Sequence, residues 1–315
     1  PDVGKGGAGS VDASTGGVNR GDASTGGAST GDASNGGVKT VALAHSVHGP
    51  SGAGRLDGDS AGNSAGDSGG NSDGEVPTAI LLGSLGASRD MWDPQVEALS
   101  ESARIITVDL RGHGESPAPA GEYAMTDLAY DVLALMDSLE IDRAHIVGLS
   151  LGGAVAQTIA LEHPARLRTL TLISTAPKFG ESDAWLEKAE QVRAEGTGVL
   201  ADTVVGNWFT DECFAENPEL PKHFADGIRA TSDEGYTGCC HAIAGFDSRE
   251  RLGDITVPTW VVAGEEDTST PRDVVTSLYD GIPDSSLTEI SPAKHLVNVE
   301  VPEAVNRVLA MQWGL

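Results

Sequence analysis

Ala144-His-Ile-Val-Gly-Leu-Ser-Leu-Gly-Gly153 reads as a strand that stops at a glycine, turns on a serine and opens a helix. The strand is Ala144–Val147 and the helix runs from Leu151 to His163, so Gly148-Leu-Ser150-Leu-Gly152 has the G-x-S-x-G pattern in strand–turn–helix context. Glycines two residues either side of Ser150 let the backbone turn sharply and leave the serine side chain exposed. The helix N-terminus beside it favours negative charge developing nearby. Ser150 is therefore a candidate nucleophile, set against the plainer reading of a glycine-rich turn with an incidental serine.

Outward from this turn, apolar runs at 78–82, 104–108, 144–147, 169–173, 257–262 and 286–290 alternate with helical periods at 91–101, 124–139, 151–163, 183–195, 272–280 and 302–312. That alternation predicts an α/β domain with a mostly parallel sheet covered by helices on both faces. Thr40–His48 is a further strand, placed at an edge. Between 173 and 257 no strand is convincing, and Trp185, Leu186, Val192, Leu200, Trp208, Phe209, Phe214, Leu220, Phe224 and Ile228 fall at helical spacing. An insertion above the C-terminal ends of parallel strands sits where such sheets bind ligands, so it reads as a helical cap. The predicted organisation is a disordered tail over 1–39, a first core segment over 40–176 with a flexible insertion at 49–75, the cap over 177–250, and a second core segment over 251–315.

Composition separates the tail from the folding unit. Residues 1–77 hold 21 of the 41 glycines and none of the 14 Phe, Trp or Tyr residues, so they cannot bury a core. Asp-Ala-Ser-Thr-Gly-Gly at 12–17 and 22–27 returns as Asp-Ala-Ser-Asn-Gly-Gly at 32–37; with no apolar position to stack, the repeat reads as a flexible chain rather than a solenoid. The formal charge is −27, of which −22 falls on residues 78–315. Such acidity opposes binding to nucleic acid or an anionic membrane surface, and no apolar run is long enough to span a bilayer. Cys213, Cys239 and Cys240 give neither a disulfide framework nor a metal spacing, and residues 1–40 lack the basic-then-apolar order of a signal peptide, which fits the cytoplasm. Only 6 of the 20 basic residues are lysine. Near 1 M salt the Debye length is roughly 3 Å, so repulsion of an anionic substrate would nearly vanish, and salt adaptation is one reading of this charge.

A serine nucleophile needs a base, and in this architecture the order is Ser, then Asp or Glu, then His. His163 ends the elbow helix before Pro164 and reads as structural; His223 and His241 fall in the cap. His295, in Pro292-Ala-Lys-His-Leu between the last strand and the last helix, is the candidate base. The acid falls in Glu265-Glu266-Asp267 after a strand end; Asp267 is preferred, with Glu266 as its rival. Acyl transfer also needs two backbone N–H donors for an oxyanion. Leu151 follows the nucleophile, and Leu85 lies in Gly83-Ser-Leu-Gly86, where small residues allow close approach. No metal or organic cofactor is called for.

With these residues in place the sequence resembles the α/β-hydrolase superfamily, and within it the 3-oxoadipate enol-lactonases. General marks are Asp109-Leu-Arg-Gly-His-Gly-Glu-Ser116, the turn at Ser150 and Gly264-Glu-Glu-Asp267. More specific ones are Ser84-Leu85-Gly86, Met91-Trp-Asp-Pro-Gln95, Gly206-Asn-Trp-Phe209 and His295-Leu-Val-Asn-Val-Glu300. The chain departs from the pattern at Gly83-Ser84, where many members carry His-Gly, and at Lys294, where a small residue is usual. The resemblance implies a five-membered enol-lactone bearing a carboxylate, opened to 3-oxoadipate in the catabolism of aromatic compounds. A strongly acidic protein then needs a local cation for that carboxylate, with Arg111, Arg89 and Lys178 as candidates; Trp185 and Trp208 are candidate cap residues lining the pocket, set against the plainer reading of cap core. The alternatives are a general carboxylesterase or a C–C bond hydrolase of ring-cleavage products on the same triad, and a non-catalytic small-ligand receptor on the same fold.

Overall fold

The computed structural model describes residues 34–35, 38–50 and 76–315. The readings of 1–39 as a tail and 49–75 as an insertion otherwise lie outside the described residues. Two short strands, β1 (Ser34–Asn35) and β2 (Val38–Lys39), pair with each other. The other strands are β3 (His45–His48), β4 (Thr78–Leu82), β5 (Arg104–Val108), β6 (Ala144–Leu149), β7 (Leu167–Ile173), β8 (Thr259–Gly264) and β9 (Ser285–Ile290). They form a seven-stranded sheet in the order β3-β5-β4-β6-β7-β8-β9. Only β3 runs antiparallel, pairing His45 with Val108; every other pair is parallel. The edge strand is shorter than the expected 40–48. The Val41 N–H donates to Asp131 Oδ1 at 2.7 Å, so the chain at Val41 is tied to a helix, and the Ala44 carbonyl accepts the Asp109 N–H just past the end of β5.

Central strands are apolar at successive positions because helices cover both faces. Ile80, Leu82, Ile106, Ile146 and Leu170 point to one face, where they meet Leu128 and Val132 of α2 (Met125–Ser138) and Ile159 of α3 (Leu151–Glu162). Ala79, Leu81, Ile105, Val147 and Ile173 point to the other. There they meet Trp92, Leu99 of α1 (Asp93–Leu99), and Val305, Leu309 and Trp313 of α11 (Pro302–Trp313), which follows α9 (Arg272–Gly281) and α10 (Val297–Glu300). The predicted helix at 91–101 begins instead as a 3₁₀ turn, Arg89–Trp92, and becomes α-helical only at Asp93, where Pro94 fits the first turn.

Between β7 and β8 the chain is helical: α4 (Ser182–Glu195), α5 (Ala201–Trp208), α6 (Asp211–Glu216), α7 (Glu219–Ala230) and α8 (Asp233–Ala244). This cap is rooted in both halves of the core. Ala189 and Val192 of α4 join Tyr236, Cys239, Cys240 and Ile243 of α8 in the first cluster. Trp208, Phe209, Phe224 and Ile228 join the second. Burial pushes the Cys240 thiol up to about 12, so the cysteine pair packs as small apolar side chains. No helix among the described residues is long and apolar enough to cross a membrane.

Candidate active site

β6 ends at Leu149 and α3 begins at Leu151, so Ser150 alone makes the corner, at φ 55° and ψ −114°. A non-glycine residue there costs on the order of 1–3 kcal/mol and must be held by its surroundings. The restraints are visible. Ser150 N–H donates to the Ile173 carbonyl of β7 at 3.0 Å, and the Thr175 hydroxyl donates to the Ser150 carbonyl at 2.7 Å. A Cβ on Gly152 would lie 2.2 Å from the Leu82 carbonyl oxygen, and one on Gly148 would lie 2.2 Å from the Gly152 carbonyl oxygen. The two glycines of the motif are therefore a packing requirement as much as a turn requirement. Ser150 stays partly exposed, and among the described residues its Oγ takes part in no hydrogen bond.

Asp267 and His295 follow the C-terminal ends of the neighbouring parallel strands β8 and β9, on the sheet edge where Ser150 follows β6. His295 Nδ1 and Asp267 Oδ2 are 2.8 Å apart, and both side chains are almost fully buried. The two loops are joined by their backbones, Glu265 N–H to the Ile290 carbonyl and Glu266 N–H to the Ala293 carbonyl, each at 2.9 Å. Glu266, the rival acid, is exposed. Burial alone would raise the Asp267 carboxyl, but the charge and hydrogen bond of His295 and the two donors of Thr270 outweigh it, leaving the group below the ordinary carboxylate value. Its other oxygen accepts from the Ser269 and Thr270 N–H groups at 2.8 and 3.1 Å. His295 and Ser150 make no direct hydrogen bond with one another; such contacts commonly tighten only around a reacting substrate.

Ser84–Ala87 forms a turn closed by Ala87 N–H to the Ser84 carbonyl at 3.1 Å, with Gly86 at φ +86°. Leu85 occupies its first corner, and Gly152 N–H donates to the Gly83 carbonyl at 3.0 Å, which ties this turn to the start of α3. Among the described residues neither the Leu85 nor the Leu151 N–H meets an acceptor. Tyr236 and Ile228 of the cap lie over Gly86. Trp208 stacks on the His295 ring, centroids 6.5 Å apart, and its carbonyl accepts the Leu296 N–H. Lys294 turns away from the histidine and donates to the Gly206 carbonyl at 3.1 Å.

Of the expected cations, Arg111 is spent elsewhere. Its Nε and Nη2 fork onto Asp131 at 2.5 and 2.7 Å, and its side chain is only 5 % exposed. Arg89 is bound by Asp109 and Glu115, and Lys178 lies 3.9 Å from Asp247. Trp185 sits on α4 and donates its indole N–H to the Phe179 carbonyl at 2.6 Å. A cation absent from the sequence reading sits beside it. Lys188 Nζ lies 4.0 Å from the Trp185 ring centroid, with no carboxylate among the described residues within ion-pairing distance. Burial lowers its pKa, with the neighbouring Cys240 opposing. The only sequence signal was its place one helical turn from Trp185.

The fold and this sheet edge define an α/β hydrolase, and the chain belongs to that family: the profile described as alpha/beta hydrolase fold matches residues 77–302. Among its relatives, 3-oxoadipate enol-lactonase 2 of Acinetobacter baylyi (strain ATCC 33305 / BD413 / ADP1) is 36 % identical over 233 residues, covering 74 % of this chain and 87 % of the relative. The crystal structure of the enol-lactonase from Burkholderia xenovorans LB400 superposes with a TM-score of 0.74 at 35 % identity, covering 78 % of this chain and 94 % of that one. A protein of Agrobacterium fabrum (strain C58 / ATCC 33970) assigned as carbamate hydrolase RutD is 34 % identical over 245 residues, covering 74 % of this chain and 91 % of its own. The similarities support a hydrolase acting on ester-type bonds.

Proposed function

We propose that this protein is a cytoplasmic serine hydrolase that opens a small enol-lactone carrying a carboxylate, 3-oxoadipate enol-lactone, in the breakdown of aromatic compounds. The observation that carries the reading is the buried His295–Asp267 pair on the same sheet edge as a strained, partly exposed serine. The lactone identity is supported by the relatives named for that activity.

In this mechanism Ser150 Oγ attacks the lactone carbonyl and passes its proton to His295 Nε2. Negative charge on the carbonyl oxygen is met by the Leu85 and Leu151 N–H groups. The ring C–O bond breaks, the leaving enolate oxygen takes the proton from His295, and the enol relaxes to a ketone. That relaxation makes the step easier than cleavage of an alkyl ester. Water then gives a proton to His295 as it attacks the acyl-serine, and the Ser150 oxygen leaves, takes that proton back from His295 and frees the acid. Asp267 holds the Nδ1–H tautomer throughout, its ionised state favoured by Thr270 and His295.

The substrate's carboxylate must be bound by a strongly acidic protein. We assign it to Lys188, in place of Arg111, with Trp185 and Trp208 as walls of the pocket. Lys188 is a half-buried cation with no carboxylate among the described residues within ion-pairing distance, and α4 leads back along the chain through Phe179 and Thr175, whose hydroxyl holds the Ser150 carbonyl. Comparing turnover of the enol-lactone with that of p-nitrophenyl acetate tests the substrate. Strong preference for the lactone is expected; equal, modest rates would favour a general carboxylesterase. Unchanged turnover of both by Ser150→Ala would remove Ser150 as the nucleophile, and absence of turnover in the wild type would leave only a binding protein.

A further inference from the structure

His113 lies in the Asp109–Ser116 stretch, and the mechanism above gives it no task. It is 1 % exposed, and every polar atom of its ring is used. Nε2 lies 2.8 Å from the Gly86 N, and Nδ1 lies 3.2 Å from the Arg111 carbonyl. A carbonyl can only accept, so the proton is on Nδ1 and Nε2 accepts the Gly86 N–H. Burial favours the uncharged ring this pattern needs, against the Arg111 carbonyl and Asp109, which favour the charged one.

We propose that His113 is a positioning residue for the oxyanion turn, holding the Gly86 N–H so that the adjacent Leu85 N–H is aimed at the carbonyl oxygen of the substrate. This rests on the serine-hydrolase reading and deepens it. The two N–H groups belong to successive peptide units joined at the Leu85 Cα, the first corner of a turn closed by Ala87 N–H on the Ser84 carbonyl, so fixing one restricts the other. Among the described residues the Ser84–Ala87 turn has few other hydrogen bonds. Its own closing bond and the Gly152–Gly83 bond hold its ends, whereas His113 holds its middle. The support is itself rigid. The Arg111 carbonyl that receives Nδ1–H also lies 3.7 Å from the Cys239 thiol, and the Arg111 guanidinium is locked on Asp131. Gly112 meets Gly235 of α8 so closely that a Cβ on either would lie within 2.4 Å of the other's backbone. One loop therefore touches the oxyanion turn through residue 113 and the cap through residue 112, and the position of the cap bears on the donor.

Two variants separate the hydrogen bond from mere packing. His113→Leu fills the space without an acceptor, and His113→Gln carries an amide oxygen to about the position of Nε2. In full-length protein, amide hydrogen exchange over 84–87 should show faster exchange at Gly86 in His113→Leu and near wild-type protection in His113→Gln. With p-nitrophenyl acetate, kcat per titrated active site should fall about 30-fold in the leucine variant with KM within about twofold, and recover to within about fivefold in the glutamine variant. The inhibition constant of a trifluoromethyl ketone, whose adduct places an oxyanion in the hole, should weaken in step with kcat. Unchanged exchange at Gly86 in a folded His113→Leu overturns the positioning role, whatever the activity of the wild type. So does a glutamine variant no better than leucine while both keep the wild-type Tm. Absent wild-type turnover of any ester would instead overturn the function on which the kinetic arm depends.

Discussion

The turns at the sheet edge and the cap above them are held together by different means. Around Ser150 the chain is fixed by backbone: Ser150 to β7, Gly152 to Gly83, Glu265 and Glu266 to the β9–α10 segment, α10 being Val297–Glu300. The cap is fixed by side chains, α4 against α8 and α5 against α7, through Trp208, Phe209, Phe224, Tyr236 and the cysteine pair. Backbone bonds allow little adjustment, whereas packed side chains tolerate exchange when volume is kept. Chemistry is therefore assigned to the rigid edge and substrate choice to the cap, and variants in the two regions should fail in different ways.

The largest expected effect lies at the edge. Asp267→Asn should lower kcat about 10,000-fold on lactones and esters alike, because the amide leaves His295 without the partner that fixes its tautomer. It also changes the acid limb of stability. The folded carboxyl lies below its ordinary value, so it stabilises the fold above that value, and this contribution is lost as pH falls through the depressed one. The Tm difference between wild type and Asp267→Asn should accordingly narrow below about pH 4. A selective loss on one substrate would break the division between edge and cap.

Next in size is Gly152→Ala, whose Cβ would meet the Leu82 and Gly83 carbonyls at 2.2 and 2.8 Å. Separating α3 from β4 should cost about 3 kcal/mol or more and be read as a fall in Tm by denaturation. In the cap, Lys188→Met keeps the length of the side chain and removes its charge. KM for the carboxylate-bearing lactone should rise about 30-fold, with p-nitrophenyl acetate within twofold. Equal effects on both substrates would remove Lys188 from the anion site. The smallest effect is that of salt: turnover of the anionic lactone at subsaturating concentration should rise a few-fold between 0.05 and 1 M KCl, and that of the neutral ester should not. A flat response would detach the charge of −27 from function.

The same contrast explains what could be read in advance. Gly148-x-Ser150-x-Gly152 is legible because the geometry demands glycine where carbonyls lie 2.2 Å from a would-be Cβ. The parallel sheet is legible because Ile80, Ile106, Ile146 and their neighbours must be apolar on both faces. The cap announces its helices but not its contacts. Nothing in the spacing of Arg111 tells that Asp131, twenty residues on, will claim it, nor that Lys188 will be left over. His113 was hidden for the same reason: its partner, the Gly86 N–H, is a backbone atom brought near by the order of β4 and β5 in the sheet.

The central claim is that Ser150 is the activated nucleophile, and a fluorophosphonate, which reacts with an activated serine, tests it most directly. Peptide mapping of labelled wild-type protein should find one adduct, on Ser150, and none in His295→Ala. An adduct on another residue, or labelling of Ser150 that does not depend on His295, would contradict the account.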